Sequence, residues 1–222
     1  MYGIGVVGAS YRHASAEQVA RFAIPRTELG ARLPALRAAL QGAEVLYLST
    51  CNRVEVAFVL ADRPALDMRP DVYRALLGRE PRNGEASAAL RTWTGEAAIE
   101  HLFLVACGLD SAQAGEQEIY VQLRAAWQAA RAAQTAGPVL DRIMTEALAM
   151  ARHAHRLESH RAPSLADLAA DRVIAHVLPP RQPESPRPRD PSHPAQYVAL
   201  VGVSPMTRRC GALLAKRGLP LL

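Results

Sequence analysis

The chain has 222 residues, half of them hydrophobic, and a formal net charge of +5. This length suits one sizeable core, or one domain and part of a second, and the composition excludes a disordered chain. No apolar run approaches the ~20 residues of a membrane span, and no basic segment precedes the first apolar stretch, so we expect a cytoplasmic protein. Net positive charge suits an anionic partner such as RNA, although an arginine-rich composition alone gives the same balance.

Three cysteines, Cys51, Cys107 and Cys210, are widely spaced along the chain. An odd number at such spacing predicts reduced thiols, and neither a disulfide framework nor a metal site.

Residues 1–94 predict an α+β domain. Apolar runs and alternation indicate strands, and an amphipathic stretch with leucines on one side indicates a helix. The predicted order is β-α-β-β-α with a last short strand, which is the order of a ferredoxin-like, split βαβ unit. The elements are strands at 3–8, 45–48, 54–60 and 88–92, and helices at 27–40 and 69–77.

Residues 95–178 predict a helical segment that completes this first domain. Apolar stripes recur at helical spacing, for example Ile99, Leu102, Phe103 and Ala106, and a Gly137-Pro138 break separates two of the helices. Further helices are expected at 139–157 and 164–177.

The region after residue 178 predicts a linker and a second structured segment. Residues 179–195 contain seven of the sixteen prolines, a density that neither helix nor sheet tolerates, so we expect a semi-rigid linker. Residues 196–222 then read as strand, glycine and helix, the opening of a Rossmann-like unit.

A polar turn stands between the two strands at 45–48 and 54–60. It carries the run Ser49-Thr50-Cys51-Asn52-Arg53. A turn exposes its side chains, and the charge of Arg53 is expected to lower the pKa of Cys51, which favours a thiolate nucleophile. The alternative is that Cys51 is a small buried hydrophobic residue, as free cysteines commonly are.

The S-T-C-N-R run resembles the active-site signature of glutamyl-tRNA reductases. Other blocks of that family are matched in order over about residues 3–178. They are G-A-S-Y-R-H-A at 8–14, where His13 replaces a hydroxyl residue, H-L-F at 101–103, G-L-D-S at 108–111, and G-E-Q-E-I at 115–119 followed by Gln122.

This resemblance implies an NADPH-dependent reduction of glutamyl-tRNA to glutamate-1-semialdehyde, an intermediate of tetrapyrrole (porphyrin) synthesis. The Cys51 thiolate would form a thioester that NADPH reduces. Charged tRNA is the implied partner, with a downstream aminomutase as another, and a homodimer is expected only if a C-terminal region exists beyond residue 222.

The same resemblance suggests roles for the polar residues around Cys51. Arg53 would bind the substrate carboxylate through two parallel hydrogen bonds. His101 would protonate the leaving 3′-oxygen, unless it orients the site or has only a structural role. The remaining expected substrate-binding residues are Thr50, Asn52, Ser111, Glu116, Gln117, Glu118 and Gln122, of which Glu118 replaces the family's glutamine.

The expected NADPH site begins at the glycine after the last strand. The matching residues are Gly202, Val203, Ser204, Pro205, Met206 and Thr207. Ser204 replaces the second glycine and Pro205 removes a backbone donor, so this fingerprint is degenerate. The chain ends at Leu222, before a second nucleotide-binding half, so we expect either a fragment of a longer protein or a segment that docks elsewhere.

Three functions therefore stay open from the sequence. The first is a glutamyl-tRNA reductase-like enzyme. The second is a divergent paralogue that acts as a thioesterase or acyl transferase on glutamyl-tRNA without reduction. The third is a non-catalytic tRNA-binding or regulatory protein.

Overall fold

A computed structural model describes residues 3–61, 64–112, 118–157, 165–177, 198–200 and 205–219. The chain divides into two compact units, residues 1–162 and residues 163–222. None of the helices in the described ranges is long and apolar enough to cross a membrane.

The first unit is built on a four-stranded antiparallel sheet. Its strands are β1 (Gly3–Ser10), β2 (Glu44–Ser49), β3 (Arg53–Leu60) and β4 (Arg91–Thr94), in the spatial order β2-β3-β1-β4. All three neighbouring pairs are antiparallel. The α+β class predicted from the sequence is confirmed, and β4 begins three residues later than expected.

Seven helices of the first unit surround this sheet in the described ranges. The alanine-rich segment before β4 forms the short helix α4, because it favours helix over strand. A capping box at Ser15 and Gln18 starts α1, another helix that the apolar pattern did not predict. The helices are α1 (Ala16–Ala20), α2 (Leu29–Ala39), α3 (Arg69–Leu77), α4 (Glu85–Ala89), α5 (Glu96–Ala106), α6 (Glu118–Ala132) and α7 (Pro138–Leu157).

The sheet is buried on both faces. Alternate residues of β3 point to opposite sides: Val56 and Phe58 join the core formed with α2 and α3, whereas Ala57 and Val59 join the core formed with α5, α6 and α7. Every residue of β3 is buried. Any charged residue in this strand must therefore be compensated inside the protein.

A buried carboxylate in β2 connects helix α7 to the sheet. Glu44, at the start of β2, accepts hydrogen bonds from the backbone N–H groups of Val139 (3.0 Å) and Leu140 (2.6 Å) in the first turn of α7. These are two of the N–H groups that a helix start leaves without partners. Glu44 thereby fixes the start of α7 against the edge strand.

The second unit contains α8 (Leu165–Val177) and α9 (Pro205–Lys216). Ala166 and Ala170 of α8 pack with Cys210 and Leu214 of α9 in one small core. The apolar face of α8, which the sequence analysis assigned to the segment ending at residue 178, is buried against α9 within the second unit. The predicted linker at 179–195 lies outside the described residues, as do residues 197, 201 and 202 of the predicted strand.

Gly8 of β1 lies opposite Glu55 of β3. A Cβ atom at Gly8 would lie 2.3 Å from the backbone oxygen of Val54 and 2.6 Å from Cγ of Glu55. Neither position can move without disturbing the strand pair. The atoms of Val54 and Glu55 in the neighbouring strand therefore leave no room for a side chain at residue 8.

We expect Gly8→Ala to lower the free energy of unfolding by roughly 1–3 kcal/mol through this overpacking. The matched control is Gly30→Ala in α2, where nothing lies within 4 Å of the added Cβ. This control should leave stability unchanged or raise it by up to about 1 kcal/mol. Urea titrations of the two variants measure the difference, and equal stability would contradict the packing argument.

Candidate active site

The cysteine turn is the tip of the hairpin between β2 and β3. The backbone N–H of Thr50 donates to the carbonyl of Arg53 (2.8 Å), and Oγ1 of Thr50 accepts from the N–H groups of Asn52 and Arg53 (both 3.1 Å). The N–H of Tyr11, in the loop after β1, donates to the carbonyl of Asn52 (2.8 Å). Cys51 is exposed at this tip. The alternative of a buried, purely packing cysteine is wrong for this residue.

A pocket opens beside the thiol. It brings together residues from the hairpin tip, the segment after α5 and the first turns of α6. Its lining is Thr50, Cys51, Asn52, Arg53, Ser111, Ala112, Glu118, Ile119 and Gln122. Seven of the ten predicted catalytic and substrate-binding residues are therefore adjacent, and two others, Glu116 and Gln117, lie outside the described residues.

The guanidinium of Arg53 is buried, with 2% of its side chain exposed. Nη1 donates to Oε1 of Glu55 (2.8 Å) and to Oδ2 of Asp110 (3.1 Å). Nη2 donates to Oδ2 of Asp110 (3.1 Å) and to its backbone carbonyl. Since each terminal nitrogen carries two hydrogens, these four contacts use all the terminal N–H groups. Arg53 could bind a substrate carboxylate through them only if Asp110 moved away.

This arrangement also changes the expected influence of Arg53 on Cys51. The prediction relied on an uncompensated positive charge beside the thiol. In the structure, two carboxylates balance that charge, and the side chain of Asp110 also accepts a hydrogen bond from Nε of Arg12. Arg53 lines the pocket chiefly as part of an internal ion-pair network.

Glu55 lies at the buried end of the network. Its Oε1 contacts both Arg53 and Nε2 of His101 (3.1 Å). Burial alone would raise the pKa of Glu55, but the hydrogen bond with His101 and the charge of Arg53 outweigh this effect and hold the pKa below its ordinary value. The ionised carboxylate is thus the favoured form inside the fold.

His101 has a different position from the one expected of a catalytic acid. It is 4% exposed, stacks on Trp93 with ring centroids 3.8 Å apart, and is absent from the pocket lining. It shares the buried face of α5 with Ala98, Leu102 and Val105, at helical spacing. In the structure His101 is a buried partner of Glu55 and does not line the pocket.

Sequence reasoning missed Glu55, Asp110 and Arg12 as parts of the site. Arg53 and Glu55 stand two apart in a fully buried strand, so they share a face, and this spacing was a usable sign of an internal ion pair. Asp110 gave no such local sign. The turn after α5, where Gly108 has a φ of 72°, directs Asp110 back to Arg53.

The other two cysteines are buried. Cys107 packs in the core with α5, and burial raises the pKa of its thiol. Cys210 lies in the core of the second unit. Of the three thiols, Cys51 alone is exposed.

Residues 7–157 match the family model described as "Glutamyl-tRNAGlu reductase, N-terminal domain". The chain belongs to the glutamyl-tRNA reductase family. Its sequence is 34% identical over 221 residues to a glutamyl-tRNA reductase of Kineococcus radiotolerans, a match that covers 98% of this chain and 46% of that protein. A glutamyl-tRNA reductase of Dichelobacter nodosus is 39% identical over 121 residues, covering 54% of this chain and 28% of that protein.

The fold is also similar to a solved structure, the glutamyl-tRNA reductase from Methanopyrus kandleri. The TM-score is 0.62 at 23% sequence identity, and the match covers 97% of this chain and 47% of that one. This chain therefore spans about half the length, or less, of these three family members.

The described part of the predicted NADPH site is the start of α9. α9 begins at Pro205, which has no N–H group to offer a phosphate at the helix start. Thr207 is half-buried in the first turn of this helix. Gly202, Val203 and Ser204 lie outside the described residues, as do the side chains of Pro205 and Met206.

Replacing Glu55 with glutamine should destabilise the fold by about 3–5 kcal/mol at neutral pH, because Arg53 would lose a buried partner. The pKa of Glu55 is lower in the folded chain than its ordinary value of 4.5. The unfolded chain therefore binds this proton first as the pH falls, and the stabilisation is lost progressively below about pH 4.5.

Free energies of unfolding of wild type and Glu55→Gln, measured from pH 7 to pH 3, test this dependence. The difference between the two proteins should shrink toward the acid end. A difference that stays constant with pH would show that the charge of Glu55 contributes nothing.

Proposed function

We propose that this chain carries out the acyl-transfer step of a glutamyl-tRNA reductase reaction, with Cys51 as the nucleophile. The observation that supports this most strongly is the exposed Cys51 at a hydrogen-bonded hairpin tip, beside a pocket lined by polar residues of the family motifs. The substrate is glutamyl-tRNA, and the complete reaction yields glutamate-1-semialdehyde for tetrapyrrole synthesis.

The chemistry at Cys51 can be written for the ester bond between the amino acid and the tRNA 3′ end. The thiolate sulfur forms a bond to the ester carbonyl carbon, and the carbon–oxygen bond breaks. The electron pair goes to the 3′-oxygen of the tRNA, which takes up a proton from solvent and leaves as a hydroxyl. The amino acid remains on Cys51 as a thioester.

The polar residues of the pocket would hold the amino acid and the tRNA end. The hydroxyl of Ser111 and the amides of Asn52 and Gln122 provide hydrogen-bond donors. Thr50 holds the turn through its backbone and side chain. Arg53 and His101 would act by positioning the site. Arg53 connects the hairpin tip to Asp110 after α5, and His101 connects α5 to Glu55 of β3.

We assign the sheet to the split βαβ, ferredoxin-like type, because β3 is inserted between β1 and β2. The turn between β2 and β3 then lies at one rim of the sheet. A thiol at this rim can be reached by a macromolecule as large as a tRNA. A soluble enzyme that binds charged tRNA is consistent with this placement.

Reduction of the thioester is a separate matter. NADPH would supply a hydride in the complete reaction, but the Pro205 start of α9 argues against a dinucleotide at this point of the chain. Without a bound hydride donor, water would attack the thioester and release free glutamate. The chain alone would then act as a glutamyl-tRNA hydrolase.

Cys51→Ser should slow the release of uncharged tRNA from glutamyl-tRNA by about 100-fold or more. A hydroxyl without an adjacent strong base is a poor nucleophile at neutral pH. The matched control is Cys107→Ala, which removes a buried thiol outside the pocket. Release rates are measured with radiolabelled glutamyl-tRNA. Equal release by wild type and Cys51→Ser would favour a non-catalytic tRNA-binding protein.

NADPH should neither bind to the 222-residue chain nor change its product. Calorimetric titration should give no heat of binding, and the product should be free glutamate with or without NADPH. Micromolar binding, or an aldehyde formed only in the presence of NADPH, would show that the segment from Gly202 to Thr207 is a working cofactor site.

A further inference from the structure

Four charges at the rim of the sheet balance each other. The guanidinium groups of Arg12 and Arg53 pair with the carboxylates of Glu55 and Asp110 in one connected network. Opposite charges at such short distances leave little net field outside the network. A net charge that attracts a large anionic partner to this rim must therefore come from a residue outside the network.

Arg91 is a cation next to this network. It is the first residue of β4 and lies opposite Gly8 of β1, which lies in turn opposite Glu55 of β3. Ser10, two residues further along β1, lies opposite Arg53 at the rim. Directly opposite residues of an antiparallel sheet share a face, so Arg91 and Glu55 are on the same face. Two strand spacings separate them, which is roughly 10 Å.

The guanidinium of Arg91 has no carboxylate partner in the part of the chain that the structure describes. Nη1 donates to the backbone carbonyls of Ser87 (3.1 Å) and Leu90 (3.4 Å), and the ion pairs of the described residues do not include Arg91. The side chain is exposed. In the loop after β1, burial and next the charge of Arg91 lower the pKa of His13. Arg91 thus adds one positive charge beside the balanced network.

The loop after β1 connects Arg91 with the thiol. The N–H of Tyr11 donates to the carbonyl of Asn52, the residue after Cys51 (2.8 Å). Arg12 uses Nε for its hydrogen bond to Asp110, and its side chain is 53% exposed. The two terminal nitrogens of Arg12 therefore remain available to a partner outside the protein.

The position of Arg91 indicates which part of a substrate it would meet. In the proposed reaction the glutamyl group occupies the pocket beside Cys51, and Arg91 does not line this pocket. The parts of glutamyl-tRNA that extend beyond the pocket are the nucleotides of its 3′ end, and their charged groups are phosphates. A guanidinium binds phosphate oxygens through two parallel hydrogen bonds. Such contacts fix the register of a nucleic acid without reading its sequence.

We propose that Arg91, together with the terminal nitrogens of Arg12, binds backbone phosphates of the single-stranded 3′ end of the tRNA and guides its aminoacyl end to Cys51. This inference rests on the proposed acyl transfer at Cys51. The rim then holds the RNA by its backbone, while the pocket receives the amino acid.

The test separates RNA binding from chemistry by using two substrates. One is glutamyl-tRNA, and the other is 3′-O-glutamyl-adenosine, which has the same ester and no phosphate. Arg91→Gln removes the charge and retains a hydrogen-bond donor, whereas Arg91→Lys keeps the charge. The matched control is Arg37→Gln in α2, because Nη1 of Arg37 also donates to a backbone carbonyl, that of Gln134.

In Arg91→Gln, kcat/KM for Cys51-dependent release should fall about tenfold on glutamyl-tRNA, because a charged hydrogen bond is lost. It should stay unchanged on glutamyl-adenosine. The slope of log(kcat/KM) against log salt concentration should become shallower by about 0.7, the value for one phosphate contact on a single strand. Arg91→Lys should restore this slope, and Arg37→Gln should match wild type on both substrates.

Binding of uncharged tRNA, measured by fluorescence anisotropy, tests the contact without the reaction. Arg91→Gln should weaken the binding of full-length tRNA. It should have no effect on the binding of a tRNA that lacks its single-stranded 3′ end.

Three results would overturn the proposal. Unchanged kinetics and binding in Arg91→Gln would show that Arg91 does not contact the RNA. An equal loss on both substrates, with a normal urea unfolding curve, would assign Arg91 to the ester or the amino acid. Equally weakened binding of full-length and truncated tRNA would place the contact away from the 3′ end.

Failure of the proposed acyl transfer would give a different pattern. Wild type would then release no tRNA from either substrate, while binding of full-length tRNA would still depend on Arg91. That result would refute Cys51 as the nucleophile and support the RNA contact.

Discussion

The site depends on the ion pairs that the buried guanidinium of Arg53 forms with Glu55 and Asp110. Arg53 lies at the start of β3, and its partners come from the same strand and from the segment after α5. Through Asp110 the network also reaches Arg12, in the loop after β1. Three separate segments are thereby held around one charge, and these segments form or border the pocket at Cys51.

The charged residues of this network differ in their exposure to solvent. Its inner end, where Glu55 contacts His101 of α5, is buried, whereas the side chain of Arg12 at the outer end is 53% exposed. A buried ion pair is costly to break because the remaining charge has no solvent to stabilise it. The position of the cysteine hairpin is therefore fixed by the interior, while the thiol itself stays exposed.

Much of the first unit could be predicted from the sequence. The helix at 69–77 has the predicted bounds, and both strands that flank the cysteine turn are where their apolar runs indicated. Local periodicity was sufficient for these elements because each buries its own apolar face. The short helices α1 and α4 needed capping and propensity signals that the periodicity did not contain.

The site was predicted less completely, for a physical reason. Motif matching found the residues that line the pocket, because they are adjacent in sequence to the thiol or to each other. The pairing of Arg53 with Asp110 spans 57 positions and depends on tertiary packing, which no local pattern reports. Tertiary packing also places His101 in the interior instead of the pocket. Its helical spacing from Ala98, Leu102 and Val105 was a sequence sign that it faces the core.

The central claim is that Arg53 and Asp110 hold the site together as a coupled pair. The most direct test is a double-mutant cycle of unfolding free energies with Arg53→Met, Asp110→Asn and the double variant. The account predicts a coupling energy of about 1–3 kcal/mol between the two positions. Additive effects of the two substitutions would contradict it.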